Sequence, residues 1–434
     1  MGTCGAKRNW QVVEASLLRT SEFSDRSREA SQRATQLVEE PVPHAGSRPR
    51  GAVVIGGDYQ GLGIARSLGR QGVPVLLVDD EPSVAAASRF VRKTFRVRSL
   101  LHESETIDAL TALSRQVDVN GWVLYPTRDE TVAAISRNRA RLSQSFQVPV
   151  PPWTTIRFAW DKRDTYRLAE RLSIPTPRTW FLKGDEDLSK VDSDGPLVIK
   201  PAIKEHFFYA THAKAWRADG PEQLARLYRR AASIAGGGEI LIQELIPGGG
   251  RQQFSYCAFF KDGSPVASMT VERRRQHPSD FGHASTFVET IDLGALEEPS
   301  RRFLEAIDYY GLVELEYKLD PRDGEFKLLD VNARTWGYHS IGRVAGVDFP
   351  YLLFLDQLGH DVSPVRARPG VRWIRWATDI PNALVDIRSG TVATRSYLRS
   401  LRGVEVEAVF SWSDPLPGLY EIALLPYLFF KRGL

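Results

Sequence analysis

The sequence predicts an α/β domain followed by an α+β domain. The first has a parallel sheet, and the second is larger, with mixed strands and helices. Three observations predict this. The apolar run Ala52-Val53-Val54-Ile55 passes through glycines into a helical stretch, Ile64–Gln71, and then into a second apolar run, Val75–Val78. Prolines at 149, 151 and 152 then punctuate the chain. Beyond them, two alternating runs, Val313–Leu319 and Phe326–Val331, flank the polar turn Asp320–Gly324 and make a hairpin.

The gross numbers agree with a soluble chain of several domains. It has 434 residues, 42% hydrophobic and 25% charged. A net charge of +4, from 57 basic and 53 acidic residues, is too small for a nucleic-acid signature. Two cysteines, Cys4 and Cys257, exclude a disulfide scaffold and a cysteine zinc site, so a reduced, cytoplasmic setting is expected. No run of about 20 apolar residues predicts a membrane span. The N-terminus lacks an apolar signal core, and Ala6 stands where a myristoylation motif needs Ser or Thr.

Along the chain, residues 1–50 read as a poorly ordered extension, with one helix expected around Asn9–Arg19. Residues 51–150 form the parallel-sheet domain, with a later strand at Trp122–Pro126 and a helix over Asp129–Leu142. Residues 151–360 form the second domain, with strands at Leu197–Pro201 and Ile240–Ile246. Residues 361–434 are a C-terminal extension expected to pack on that domain, including its apolar tail Leu419–Phe430.

The glycine turn resembles a dinucleotide site, with Asp79 about 20 residues on as a ribose contact would be. But Gly56, Gly57, Gly61 and Gly63 do not fit the G-x-G-x-x-G order. A structural turn, or a substrate contact at Gly57, is the preferred reading.

The chemistry concentrates in the hairpin. Asp330 and Asn332 are two apart and share a face of their strand, and Glu316 can face them from the neighbour. Singly these are ordinary surface residues. Together they offer hard oxygen donors suited to Mg²⁺, which keeps few protein ligands and leaves room for phosphates. Lys200 ends an apolar strand before Pro201, and Lys162 opens a helix running to Leu172, so both can project a positive charge. Gln243-Glu244-Leu245-Ile246 ends another apolar run, where strand-end backbone groups can read an adenine edge.

In order, these segments resemble the ATP-grasp superfamily, and within it the carboxylate–amine ligase branch that includes D-aspartate ligase and related carboligases. The resemblance covers about residues 51–360. It rests on Asp161-Lys162, Val198-Ile199-Lys200-Pro201, Gln243-Glu244-Leu245-Ile246-Pro247-Gly248, Glu272-Arg273-Arg274-Arg275-Gln276, Glu316-Tyr317-Lys318-Leu319-Asp320 and Asp330-Val331-Asn332-Ala333-Arg334. It implies an ATP-grasp fold preceded by a Rossmann-like pre-ATP-grasp domain, with an ATP subdomain at about 160–246. Lys162 and Lys200 would hold ATP phosphates. Gln243 to Ile246 would form the adenine hinge, with Gln252 at the ribose. Glu316, Asp330 and Asn332 would bind one or two Mg²⁺, with Mn²⁺ as an alternative. Arg334, with Arg274 or Arg275, would stabilise the transferring phosphoryl group.

The chain departs from the family in two places. The stretch after Lys200, Ala202 to Tyr209, contains no glycine, so closure over the phosphates is expected to use Lys204 or Lys214. Asp330 stands where Glu is commoner. The lid candidates are the 202–214 loop and the region Arg273–Phe287, which contains His277 and His283. The turn Thr127–Glu130 is expected to help shape the acceptor site. The resemblance implies an ADP-forming ligase joining a small-molecule acid to an amine, in a biosynthetic pathway and often as a homodimer. Three readings compete: activation of an enolic or phosphate-type oxygen, nucleotide binding without ligation, and a dinucleotide oxidoreductase.

Overall fold

The computed structural model describes residues 50–432 except 212, 236–239, 251, 279–281 and 283. The N-terminal extension, with its expected helix, and His283 lie outside the described residues.

Strand β1 (Ala52–Ile55) is buried at every position. Helix α1 (Tyr59–Arg70) follows it, then β2 (Val75–Asp79) and β3 (Val91–Arg96). The helix begins earlier than the sequence pattern indicates, because Asp58 caps it by accepting from the Tyr59 N–H at 2.9 Å. Helix α2 (Glu103–Gln116) leads to β4 (Trp122–Pro126). The helix expected over 129–142 is two, α3 (Asp129–Arg137) and α4 (Arg139–Leu142). They part at Asn138, whose side chain donates back to the Ala134 carbonyl at 3.0 Å. With β5 (Phe146–Gln147) the first sheet is parallel, in the order β3-β2-β1-β4-β5. Its strands β1, β2 and β4 are buried at every position, as continuous apolar runs require, while the edge strand β3 is largely exposed.

Helices α5 (Trp153–Trp160) and α6 (Lys162–Arg171) lead to a small antiparallel sheet. Its strands are β6 (Thr179–Phe181), β7 (Leu197–Pro201), β8 (Trp216–Ala218) and β9 (Ile240–Glu244), in the order β6-β9-β7-β8. The presumed loop after Lys200 contains a helix, α7 (Lys204–Thr211), and α8 (Pro221–Ala235) covers the same sheet. Phe207 ties α7 into the core of this lobe. It is fully buried, 4.8 Å from the Trp216 ring. This lobe has its own apolar core around Leu197, Ile199, Tyr228 and Ile242.

The third sheet is the largest. Strands β10 (Gln253–Lys261), β11 (Ser264–His277) and β12 (Ala284–Ile291) precede helix α9 (Glu297–Ala306). The hairpin of β13 (Gly311–Leu319) and β14 (Phe326–Asn332) follows, as the sequence predicts. After α10 (Ser340–Val344) and α11 (Phe349–Gln357), the C-terminal segment adds β15 (Val365–Arg366), β16 (Arg372–Ile374), helices α12 (Trp376–Arg388) and α13 (Thr394–Ser400), β17 (Val404–Glu407) and α14 (Leu416–Arg432). The order is β14-β13-β10-β11-β12-β16-β17, with β15 beside β11. The C-terminal residues thus extend the sheet. Helix α14 buries Leu424 and leaves Leu416, Leu419 and Ile422 exposed. Much of the expected lid region Arg273–Phe287 is strand, at the ends of β11 and β12. Among the described residues no helix is long and apolar enough to cross a membrane.

One buried histidine makes the fold acid-sensitive. His339 is 2% exposed, and its Nδ1 donates to the Trp336 carbonyl at 2.9 Å. Among the described residues Nε2 has no hydrogen-bond partner. Burial pushes the imidazole down from 6.5 to about 4. The unfolded chain therefore takes up a proton near pH 6.5 that the folded chain refuses until about pH 4. Stability is complete above that window and falls through it, by up to about 3 kcal/mol. Denaturation of His339→Asn, which keeps the donor, is expected to show a flatter pH dependence over this range. An unchanged slope would contradict the assignment.

Candidate active site

The register pairs Glu316 with Asp330 and Glu314 with Asn332. A bulge between Glu316 and Tyr317 leaves Leu329 unpaired. Leu328 therefore pairs with Tyr317 on the core side, while Asp330 and Asn332 join the glutamates on the other face. Strict alternation would have put Leu328 and Asp330 together, so the extra residue re-aims the acid. Its carbonyl is used as well. Leu329 O accepts from the Tyr166 hydroxyl at 2.7 Å, and Tyr166 accepts from Lys200 Nζ at 2.6 Å. Lys200 is 9% exposed and lies 4.8 Å from the Tyr166 ring centroid. Lys162, in the first turn of α6, forms an ion pair with Asp330. Lys162 and Tyr166 are four apart on one helix, so they share a face. The two predicted lysines and the predicted acids are thus brought together.

Arg273 of β11, 5% exposed, pairs with Glu316. Glu314, which sequence reasoning passed over, is 4% exposed and accepts from the Tyr338 hydroxyl and from Asn332 Nδ2 at 3.0 Å. Asn332 Nδ2 also donates to Glu316 at 2.8 Å. Burial raises the pKa of both glutamates. For Glu314 burial wins, helped by the Glu316 charge, and its pKa stands above the ordinary range. For Glu316 the opposing effects of Arg273, Lys214 and the Asn332 hydrogen bond win, and the carboxyl is held at about 2. Lys214, expected to help close over the phosphates, contributes positive charge at Glu316. The Lys204 side chain lies outside the described residues.

Arg334 donates to Asp129 of α3 at 2.7 and 3.1 Å, and to Asn332 Oδ1 at 3.3 Å. Burial would lower its pKa, but the Asp129 charge outweighs this and keeps it charged. The Thr127–Glu130 turn thus reaches the hairpin. Glu130 also accepts from Tyr209 of α7.

Four sequence-predicted residues stand elsewhere. Arg274, half-exposed, pairs with Glu272 and Glu289, both at 3.1 Å. Arg275 grips Asp379 at 2.8 and 2.9 Å and lies over Phe287, 4.2 Å from its centroid. The pairing of β11 with β12 slips between Arg273 and Arg275, so Arg273 alone of the three faces the acids. Gly57 is not open to substrate. Its N–H donates to Asp79 at 2.8 Å, and its carbonyl accepts from Ala85 at 2.9 Å. His277 bonds Asn382 at 2.7 Å.

Asp79, 1% exposed, also accepts from Arg128 at 3.3 Å. The acid that mimics a ribose contact is thus spent inside its own domain. A Cβ on Gly57 would meet Ser83 Oγ at 2.2 Å and Asp79 Oδ2 at 2.7 Å. Gly57→Ala is accordingly expected to cost about 1–3 kcal/mol in urea denaturation. An unchanged midpoint would mean that the turn is looser than described.

At the hinge segment, Gln243 is 3% exposed and donates to Thr179 at 2.8 Å. The N–H groups of Glu244 and Leu245 donate to the Arg178 and Pro196 carbonyls at 2.9 and 3.0 Å. Ile246 is buried. Gln252 takes a positive φ of 59°, and its carbonyl accepts from Leu319 at 3.0 Å. Lys318 Nζ holds the same loop through Gly249 O at 2.5 Å.

Among the described residues no group of three or more His, Cys, Asp or Glu is arranged to enclose a metal. The hairpin instead supplies two carboxylates and an amide oxygen on one face. That partial set fits Mg²⁺ arriving with a nucleotide, since such ions take one or two carboxylates and complete their shell with phosphates and water.

Residues 254–379 match the family model described as ATP-grasp in the biosynthetic pathway with Ter operon. Over 224 residues the chain is 22% identical to D-aspartate ligase of Enterococcus faecium (strain Aus0004), covering 49% of this chain and 53% of that protein. The chain thus spans about half the length of the curated relative it matches. Two solved structures align over most of it. One is L-amino acid ligase from Bacillus licheniformis (TM-score 0.56, 16% identity, 72% of this chain and 75% of that one). The other is the biotin carboxylase–β,γ-ATP complex from Campylobacter jejuni (TM-score 0.56, 16% identity, 71% of each chain). With its parallel-sheet domain ahead of a small antiparallel lobe and the carboxylate hairpin, the chain has the ATP-grasp fold, and it resembles carboxylate–amine ligases that share that fold.

Proposed function

We propose that the protein is an ATP-dependent, ADP-forming ligase that joins a small carboxylic acid to an amine. The observation that carries the reading is the convergence of Lys162, Lys200, Arg273 and Arg334 on the face bearing Glu316, Asp330 and Asn332. Such a face suits a polyphosphate, its cation and a carboxylate at one place. The ligase relatives support the same class of reaction.

In this reading Ile246 reads the adenine edge, with Gln243, Glu244 and Leu245 holding the hinge in shape and Gln252 near the ribose. Lys162 and Lys200 hold phosphate oxygens. Glu316, Asp330 and Asn332 would hold one or two Mg²⁺ or Mn²⁺, which would neutralise charge on the phosphates. Arg334, anchored by Asp129, grips the acid and then its phosphorylated form, for which its planar fork is suited. Arg273 keeps Glu316 ionised. The acid's oxygen takes the γ-phosphoryl group, giving ADP and an acyl-phosphate. The amine nitrogen then forms a bond to the carbonyl carbon and loses a proton, and phosphate leaves with one of the acid's oxygens. Helix α7 is the segment proposed to keep water out.

That last transfer gives the test. With pooled carboxylates labelled with ¹⁸O and pooled amines, one ¹⁸O per turnover is expected in inorganic phosphate. Phosphate free of label, at equal ATP consumption, would overturn the acyl-phosphate route.

A further inference from the structure

Resting on the metal-site reading above, we propose that Glu314 is a positioning residue that fixes which end of the Asn332 amide faces the nucleotide. An asparagine amide can sit either way round, and only its oxygen can bind a cation. Asn332 lies between two glutamates on the neighbouring strand. Its Nδ2 donates to Glu314 at 3.0 Å and to Glu316 at 2.8 Å. Carboxylate oxygens accept, so the nitrogen belongs on that side. The oxygen is thereby turned outward, where Arg334 donates to it at 3.3 Å. Glu316 alone is a poor guide for the amide, because in the same reading it is itself a metal ligand. Glu314 stays behind the site. It is 4% exposed, and its other oxygen is occupied by the Tyr338 hydroxyl. Such outer partners orient metal ligands, and their loss typically lowers metal affinity 10–100-fold.

The test is Mn²⁺ affinity in the presence of ADP, read from the EPR signal of free Mn²⁺, with thermal melts to confirm folding. Glu314→Leu removes the acceptor, and Tyr338→Phe made with it removes the hydroxyl that would be stranded. This pair is expected to bind Mn²⁺ about 10–100-fold more weakly. Tyr338→Phe alone, and Glu314→Gln, whose carbonyl still accepts from Asn332, are expected to stay within about 3-fold of the parent. ADP binding without metal is expected to be equal in all. If the Leu–Phe pair binds Mn²⁺ normally while Asn332→Ala does not, the orienting role is overturned and the metal site stands. If Glu314→Gln is as weak as the Leu–Phe pair, charge rather than orientation is at work and the proposal fails. If Asn332→Ala binds normally, the metal-site reading itself fails.

Discussion

Arg273→Met is expected to destabilise the protein by about 3–5 kcal/mol, the cost of stripping one partner from a buried charge cluster. The guanidinium is 5% exposed and pairs with Glu316, and its charge also lowers the pKa of Glu314. Without it, two glutamates on one strand face keep their Asn332 and Tyr338 hydrogen bonds but lose the Arg273 charge. The pH dependence follows from the sign of the shift. In the parent, Glu316 is held at about 2, below its ordinary 4.5, so it contributes stability above that range and loses it as pH falls toward 2. In the variant the carboxyl protonates more easily, so the deficit against the parent is largest near neutrality and shrinks in acid. Urea denaturation at several pH values measures this. Arg274→Met is the control. Its side chain is 45% exposed, and a change within about 0.5 kcal/mol is expected. Equal losses in both variants would mean that Arg273 does not compensate the acids.

The second large effect is on turnover. Lys200→Met is expected to lower ATP consumption about 10²–10³-fold, the scale for removing one preorganised charge from a reacting anion. The fold is expected to persist, because Tyr166 keeps its bond to the Leu329 carbonyl. Arg275→Met should behave in the opposite way. It removes the counter-charge of Asp379, which is fully buried and keeps the Thr286 and Tyr397 hydroxyls as donors, so stability falls, but the protein that remains folded is expected to turn over normally. Loss of turnover in folded Arg275→Met would return that residue to the site.

Much of this was legible in the sequence because it depends on period and order. Continuous apolar runs broken by glycine predict the parallel sheet, and the hairpin places Glu316 across from Asp330. Lys162 and Lys200 were found as charges at element ends; the structure pairs Lys162 with Asp330 and ties Lys200, through Tyr166, to the Leu329 carbonyl next to that acid. What alternation could not show is the bulge at Leu329, since one extra residue reverses the face of everything beyond it. The same blindness hid which of three consecutive arginines faces inward. Glu314 was available as a signal, two residues before Glu316 and on its face, but a lone acid in an apolar strand reads as an ordinary charge. Helix α7 was missed because its eight residues are too few, and too weakly amphipathic, to show a helical period. Strands β15 to β17 span two to four residues, too few to show a period.

The most direct test of the account is the fate of the nucleotide. The purified chain would be given ATP, Mg²⁺, pooled carboxylates and pooled amines, with ADP, AMP, phosphate and pyrophosphate resolved. The account predicts ADP and phosphate in equal amounts, dependent on both pools and lost in Glu316→Ala. AMP with pyrophosphate, or ADP release untouched by Glu316→Ala, would contradict it.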